Sequence, residues 1–364
     1  MLPPSRIAAM LTFDAHLDLS LNALEYNRDL RRSVWEIRAD ETGMTDLKGR
    51  GAGTVAFPEM REAGIGICVA TQLAGCMKPA APVGAWNSPA QARAMTQGQL
   101  AWYQAMEVDG HLRQLRDWPA VESHLDEWRA DPDATPIGYL LSLEGADSLR
   151  TLDDLETSYS QGLRALGPAH YGAGRYALGH DRNGPLSDQG RDLLRKMDEL
   201  DLILDVTHLC DQSFWQALDL YQGPVWASHH NCRALVDDPR QLSDEQAKAL
   251  AERGAVIGVA CDVWMVTSGW ERGVTTRADK PEADLEALAN HLDYFCQLLG
   301  DVRHVGIGTD LDGGFGAEQT PNGLETIADL DAFRSVLARR GYGEQDLAAI
   351  FHQNFLDCLK RAWT

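Results

Sequence analysis

Residues Thr12–Leu19 read TFDAHLDL. An apolar run that ends in a histidine and, two residues on, an aspartate has two readings. Either a buried strand runs into an ordinary polar turn, or a strand delivers His16 and Asp18 to a place where imidazole and carboxylate are wanted together. The rest of the chain bears on the choice, because the same construction recurs. Short, nearly continuous apolar runs occupy Met10–His16, Gly64–Thr71, Ile137–Glu144 and Leu163–His170, then Leu202–His208, Pro224–His229, Ala255–Asp262 and His304–Asp310. Such runs predict strands of a parallel sheet covered on its outer face.

Between the runs the pattern turns helical. Ser187–Gly190 opens a helix through Leu200, with Leu193, Leu194, Met197 and Leu200 at helical spacing. Asp211–Leu220 is another. Ser243 and Gln246 form a capping-box pattern ahead of Ala247–Arg253. Ser88-Pro89 starts a long helix with proline at its first position. Pro281–Leu299 and Gly343–Trp363 complete the set. Eight strands alternating with helices predict an α/β fold, a (β/α)8 TIM barrel, with residues 1–364 as a single domain. Three connections, Leu19–Ala63, Gln72–Asn87 and Trp264–Asp284, are too long to be simple loops, and loops of that length usually carry function.

The formal net charge is −21, which argues against nucleic acid and anionic membranes as partners. No run of about 18 apolar residues is present to form a membrane-spanning helix. The opening MLPPSRIAAMLTFD lacks a basic segment followed by an apolar one. Cys68, Cys76, Cys210, Cys232, Cys261, Cys296 and Cys358 are odd in number and contain no CxxC pair. Free thiols in a reducing compartment are expected, and with them a cytoplasmic protein.

The strand ends carry the chemistry. They supply His16 and Asp18, then Glu144, His170, His208, His229-His230 and Asp310. In a barrel these ends share one face, where sites are assembled from the loops. Each residue alone has an ordinary reading: His208 as a satisfied core histidine, Glu144 as a helix cap, Asp310 as turn chemistry in TDLDGG. Together they are harder to dismiss, because buried imidazoles and carboxylates are costly unless paired or metal-bound. Three histidines with Asp18 and Glu144 suit two zinc-class ions, with a carboxylate such as Glu144 able to bridge them. The absence of cysteine from these positions argues against a closed structural zinc site.

These stretches resemble the renal-type, or membrane, dipeptidases of the amidohydrolase superfamily. The likeness is carried by AHLDL (15–19), SLEGADSL (142–149), RALGPAH (164–170), DVTHL (205–209), ASHHNCRAL (227–235), PRQLSDE (239–245) and NHLDYFCQLLGDVRHVGIGTDLDGG (290–314). It runs through almost the whole chain in order. The resemblance implies a barrel of the amidohydrolase type and a binuclear zinc dipeptidase working through metal-activated hydroxide. His16 and Asp18 then hold one Zn2+, His208 and His229 the other, and Glu144 bridges. Asp310 handles the proton of the attacking water, His170 contacts the substrate carbonyl, and Arg240 receives the dipeptide carboxylate as a bidentate pair. Arg233 competes with Arg240 for that role. The expected partner is a small dipeptide, L-Xaa-L-Xaa, with L-Xaa-D-Xaa and a homodimer left open.

Three positions depart from the family pattern. Leu17 stands for a frequent Asn, His230 for a small Ser, and His352-Gln353 for a glycine-rich turn before Asn354-Phe355. They are expected to bear on substrate range and pocket polarity, since the metal ligands are untouched. The same ligands also serve an N-acyl amino acid deacylase or a lactonase. A catalytically inactive binding module is the non-enzyme alternative, and the retention of Asp310 and every ligand speaks against it.

Overall fold

All eight apolar runs form strands. They are β1 (Thr12–Leu17), β2 (Ile65–Leu73), β3 (Ile137–Glu144), β4 (Leu163–Gly167), β5 (Ile203–Asp205), β6 (Val225–Trp226), β7 (Ile257–Val259) and β8 (Val305–Ile307). The structure, a computed structural model, describes residues 11–76 and 83–364. Met10 and the middle of the 72–87 connection lie outside the described residues.

From β1 to β6 each strand pairs in parallel with the next, and β7 pairs likewise with β8. β8 returns to β1 through Asp14 and Ile307. A parallel bridge from Ala227, just past β6, to Ile257 closes the ring. At this closure Gly258 and Gly308 face the carbonyl of Ser228, and a Cβ at either would stand 2.0 or 1.8 Å from it. Glycine is therefore the residue that lets β6 approach β7 and β8 so closely.

Every residue of β1, β2 and β3 is buried, as a sheet covered on both faces requires. Neighbouring positions of one strand serve two apolar clusters. Phe13, Ile67, Leu140, Ile203 and Trp226 gather with Phe355 and Leu359 of the C-terminal helix. Cys68, Tyr139, Leu141, Leu166 and Leu204 join the larger cluster formed with the surrounding helices.

The helices begin where their caps dictate. The Ser187 hydroxyl accepts from the Gly190 amide, Ser243 and Gln246 make the reciprocal box, and Pro89 opens a helix reaching Val108. Two expected helices are corrected. The helix expected from Pro281 starts at Leu285, because the Asp284 carboxylate accepts from the Ala287 amide and caps it there. The terminal helix is not continuous: Glu344–Ala348 is followed by a π-helical turn at Ala349–Gln353 and a helix at Asn354–Trp363. A short strand, Leu112–Gln114, was not expected. It pairs with β3 at Ile137–Tyr139, below the point where β4 joins at Leu141.

The long loop after β1 is tied to the loop after β8. The Asp312 carboxylate, just past β8, accepts from the amides of Thr54 and Val55 and from the Thr54 hydroxyl at 2.8–3.0 Å. Asn22 in turn donates to the Asp312 carbonyl at 2.9 Å. The loops after β1 and β8 are thus one cross-linked rim. Among the described residues no helix is long and apolar enough to cross a membrane.

Candidate active site

β1 and β3 carry His16 and Glu144 within their last residues, whereas four other strands stop before their ligand-type residues. β4, β5, β6 and β8 end at Gly167, Asp205, Trp226 and Ile307, so His170, His208, His229 and Asp310 sit on the first turns beyond. Two of them, His208 (φ 69°) and Asp310 (φ 57°), lie in the left-handed backbone region, which no strand residue can occupy. Such conformations are costly for side-chain-bearing residues and collect at functional sites. Here they turn two side chains out of the pleat and into the barrel mouth.

Buried carboxylates brace these turns. Asp14 accepts from the His16 amide (3.2 Å) and from the Thr309 amide and hydroxyl (2.9 and 2.6 Å). Asp205 accepts from the amides of Thr207 and Ser228 (3.0 and 3.1 Å). The first joins β1 to β8, the second β5 to β6. Both lie just ahead of a ligand histidine, in DAH and DVTH, which is the sequence signal that could have identified them.

Glu144 Oε1 is the hub. It lies 3.0 Å from His208 Nε2, 3.5 Å from His229 Nε2 and 3.6 Å from His16 Nε2. His208 Nε2 and His229 Nε2 are 3.1 Å apart. His16 Nε2 also faces Asp310 Oδ1 at 3.8 Å and Asp18 Oδ2 at 3.9 Å. Three groups bring ligand atoms within 4.8 Å of one another: His16, Glu144 and His229; Glu144, His170 and His208; and His16, Asp18 and Asp310. His170 therefore stands closer to the ligand cluster than a role on the substrate carbonyl alone implied.

The donor set fits metal ions. The rings of His208 and His229 are held through Nδ1, by His180 Nδ1 at 3.2 Å and Ser228 Oγ at 2.8 Å, leaving both Nε2 atoms for the cluster. Holding one ring nitrogen to orient the other is how proteins position ligand histidines. The Thr71 hydroxyl donates to Asp18 Oδ1, which leaves Oδ2 towards His16. His16 is 1% exposed, yet neither ring nitrogen has a hydrogen-bond partner among the described residues. Burial alone lowers the His16 pKa, but the Glu144, Asp18 and Asp310 carboxylates raise it to about 10. The cluster thus calls for a cation, and a metal can take the place of that proton. Burial holds His208 and His229 well below their ordinary pKa, in the neutral form that ligates.

Above the cluster opens a cavity of about 500 Å³, within the range of small-molecule sites. Glu144, His170, His208 and Asp310 line it together with Arg240. Arg240 is 1% exposed; its Nη2 donates to the His229 carbonyl at 2.9 Å, while Nη1 has no partner among the described residues. Burial lowers the His170 pKa to about 4, so its imidazole is neutral near pH 7.

Arg233 is corrected. It does not line the cavity: its guanidinium forms a bidentate pair with Asp211 at 2.8 and 2.9 Å and donates to the Gln241 carbonyl, which leaves it committed elsewhere. The three departures also lie away from the cavity. Leu17 is fully buried in the core. His230 bonds the Thr207 hydroxyl through Nδ1, and its amide donates to the Gly258 carbonyl. His352 lies beside Leu11, at the opposite end of β1. Their expected bearing on the pocket is therefore not seen in the geometry. Missed altogether were His180, behind His208, and the wall residues Lys48, Asp262 and Arg272; Asp262 alone had a signal, as the last residue of the seventh apolar run.

A model of the membrane dipeptidase family, peptidase family M19, matches residues 6–363. An uncharacterized protein from the pqqA 5′ region of Klebsiella pneumoniae is 29% identical over 218 residues, 58% of this chain and 76% of that one. An uncharacterized dipeptidase of Schizosaccharomyces pombe is 26% identical over 286 residues, 76% of this chain and 64% of its own length. The chain thus spans between about half and three quarters of the curated relatives it matches first. Among solved structures, that of a metallo peptidase, dipeptidase AC, superposes with a TM-score of 0.78 at 26% identity, covering 98% of this chain and 99% of that one. With its barrel, its cluster of histidines and carboxylates, and a match over nearly its whole length, the chain belongs to the membrane dipeptidase family, peptidase family M19.

Proposed function

We propose that the protein is a zinc-dependent dipeptidase. The observation that carries this reading is Glu144 Oε1, within 3.0–3.6 Å of three imidazole nitrogens beneath a cavity that also holds the half-used guanidinium of Arg240. His16 and Asp18 are the residues to hold one ion, His208 and His229 the other, and Glu144 both. Two zinc ions, when bound, polarise a carbonyl and make a water acidic enough to attack near neutral pH.

The chain's own residues do the rest. Arg240 offers Nη1 to the substrate's terminal carboxylate, a charge-assisted bond in a site shielded from water. His170, kept neutral by burial, donates to the carbonyl oxygen as negative charge develops there. Asp310 Oδ1 faces the cluster, where it accepts the water's proton and passes it to the leaving amine. Burial pushes the Asp310 carboxyl well above its ordinary pKa, the direction that suits a group that takes up and returns a proton. The seven cysteines are unpaired, six of them buried, which supports a cytoplasmic setting.

The test is metal analysis of the zinc-reconstituted protein alongside hydrolysis of dipeptides in both the L-L and L-D series. Two equivalents of metal and cleavage of at least one series are expected. One equivalent or fewer after reconstitution overturns the bridged pair.

A further inference from the structure

A dipeptide carries a charge at each end, and the cavity described so far answers only the carboxylate. Five carboxylates line it: Asp46, Glu144, Asp181, Asp262 and Asp310. Glu144 and Asp310 belong to the metal cluster. Asp46 is paired with Arg50 at 2.9 Å and Asp181 with Arg182 at 3.7 Å. Asp262 is left. It is 6% exposed, and among the described residues it has no ion-pair partner within 4 Å. Its oxygens accept only from neutral donors, Gln319 Nε2 at 2.7 Å and Trp264 Nε1 at 2.6 Å.

The cavity's other cations among the described residues, Lys48 and Arg272, are bonded to neutral groups. The Lys48 ammonium donates to Gln319 Oε1, which turns the Gln319 amide so that its NH2 group faces Asp262. The Arg272 guanidinium lies over the Trp264 ring at 4.7 Å and donates to the Tyr171 hydroxyl at 3.2 Å. A carboxylate accepting one bond at each oxygen keeps lone pairs free, and Asp262 has no cation in direct contact among the described residues: Lys48 and Arg272 act on it only from beyond ion-pair distance. Burial pushes the Asp262 carboxyl up to about 6, outweighing its two hydrogen bonds and the more distant Lys48 and Arg272 charges. Asp262, Arg240 and Asp310 line the same cavity, so one substrate there faces all three.

We infer that Asp262 is a specificity-determining residue that receives a cationic nitrogen of the substrate, so that the cavity selects dipeptides charged at both ends over N-acyl amino acids of the same size. This inference rests on the dipeptidase reading. The cationic nitrogen has two sources, the terminal ammonium and a lysine or arginine side chain, and they share this chemistry.

The experiment compares wild type with Asp262→Asn on Ala-Ala, on propionyl-Ala (the same shape without the ammonium), and on Lys-Ala and Ala-Lys. Metal content is measured throughout. Loss of one partner of a desolvated charge pair is worth roughly 30-fold or more. If the terminal ammonium is the source, wild type prefers Ala-Ala to propionyl-Ala by that factor in kcat/KM, and Asp262→Asn shrinks the ratio to a few-fold with metal content unchanged. If a side chain is the source, the advantage of Lys-Ala or Ala-Lys over Ala-Ala shrinks instead. Equal kcat/KM for all four substrates in wild type, or ratios that Asp262→Asn leaves unchanged, overturns the inference. Phosphinate analogues of Ala-Ala with and without the amino group, titrated by calorimetry, read the same ratio without turnover. A protein that cleaves none of the dipeptides therefore loses the dipeptidase reading, while the calorimetric ratio still decides the role of Asp262.

Discussion

At the scale of single residues, the site depends on which ring nitrogen carries the proton. His208 presents Nε2 to Glu144 and His229, and that nitrogen must be bare to ligate. The proton then sits on Nδ1 and is donated to His180 Nδ1 at 3.2 Å. His180 is thus a positioning residue, and removing such a partner typically costs 10–100-fold in metal affinity. His180→Ala is expected to weaken zinc binding by about that factor in competition with a chelator of known affinity. His180→Asn, whose amide oxygen can accept the same proton, is expected to recover most of it. Equal affinity in all three proteins removes His180 from the metal site.

At the scale of elements, the strands were legible because parallel strands buried on both faces must be apolar along their length. Their ends were less so. The runs were expected to continue through His170, His208, His229 and Asp310, yet the left-handed backbone at His208 and Asp310 ends the strands earlier. Nothing in a histidine or an aspartate announces that conformation. Leu112–Gln114 escaped notice because a three-residue strand with one apolar side chain has no period to read.

The helix Leu285–Leu299 carries a testable consequence of burial. His291 on its inner face accepts from the Cys232 amide through Nδ1 (3.1 Å) and meets the Val266 carbonyl through Nε2 (3.0 Å). Burial lowers its pKa from 6.5 to about 4. The unfolded chain therefore takes up a proton on this residue at a higher pH than the folded one. The stability it supports is full above about pH 6.5 and is lost as pH falls towards 4, by up to roughly 3 kcal/mol. Urea unfolding of wild type and His291→Gln between pH 4 and 7 should show a shallower acid slope in the variant. Parallel slopes contradict the account.

For the whole molecule, function rests on residues nearly 300 positions apart meeting over one end of a barrel. That convergence could be read from the sequence, since every metal-type residue follows an apolar run and one face collects all the run ends. Side-chain commitments could not be. The sequence assigns the carboxylate to Arg240 but leaves Arg233 in competition, and only the fold shows Asp211 occupying Arg233 while Nη1 of Arg240 has no partner among the described residues. A buried guanidinium in the wall of a substrate cavity makes a terminal carboxylate part of what is recognised. Wild type is expected to cleave a dipeptide at least about 30-fold better than its C-terminal amide, and Arg240→Ala is expected to erase the difference while Arg233→Ala preserves it. Equal cleavage of acid and amide by wild type moves the deacylase and lactonase readings ahead.

The ring itself is unevenly fastened. β2 and β3 pair from Ile67–Gly138 through Leu73–Glu144, whereas β6 and β7 share one bridged pair, Ala227 with Ile257, and three backbone bonds, Ala227 to Val256, Gly258 to Ala227 and His230 to Gly258. Local opening is cheapest where the fewest backbone bonds must part, so the amide protons of Ala227 and Gly258 should trade with deuterium sooner than those of β2 and β3. Equal protection around the hoop contradicts this. His229 stands two residues past Ala227, so breathing at the seam moves one wall of the metal cluster while the β2–β3 side, which carries Glu144, stays fixed.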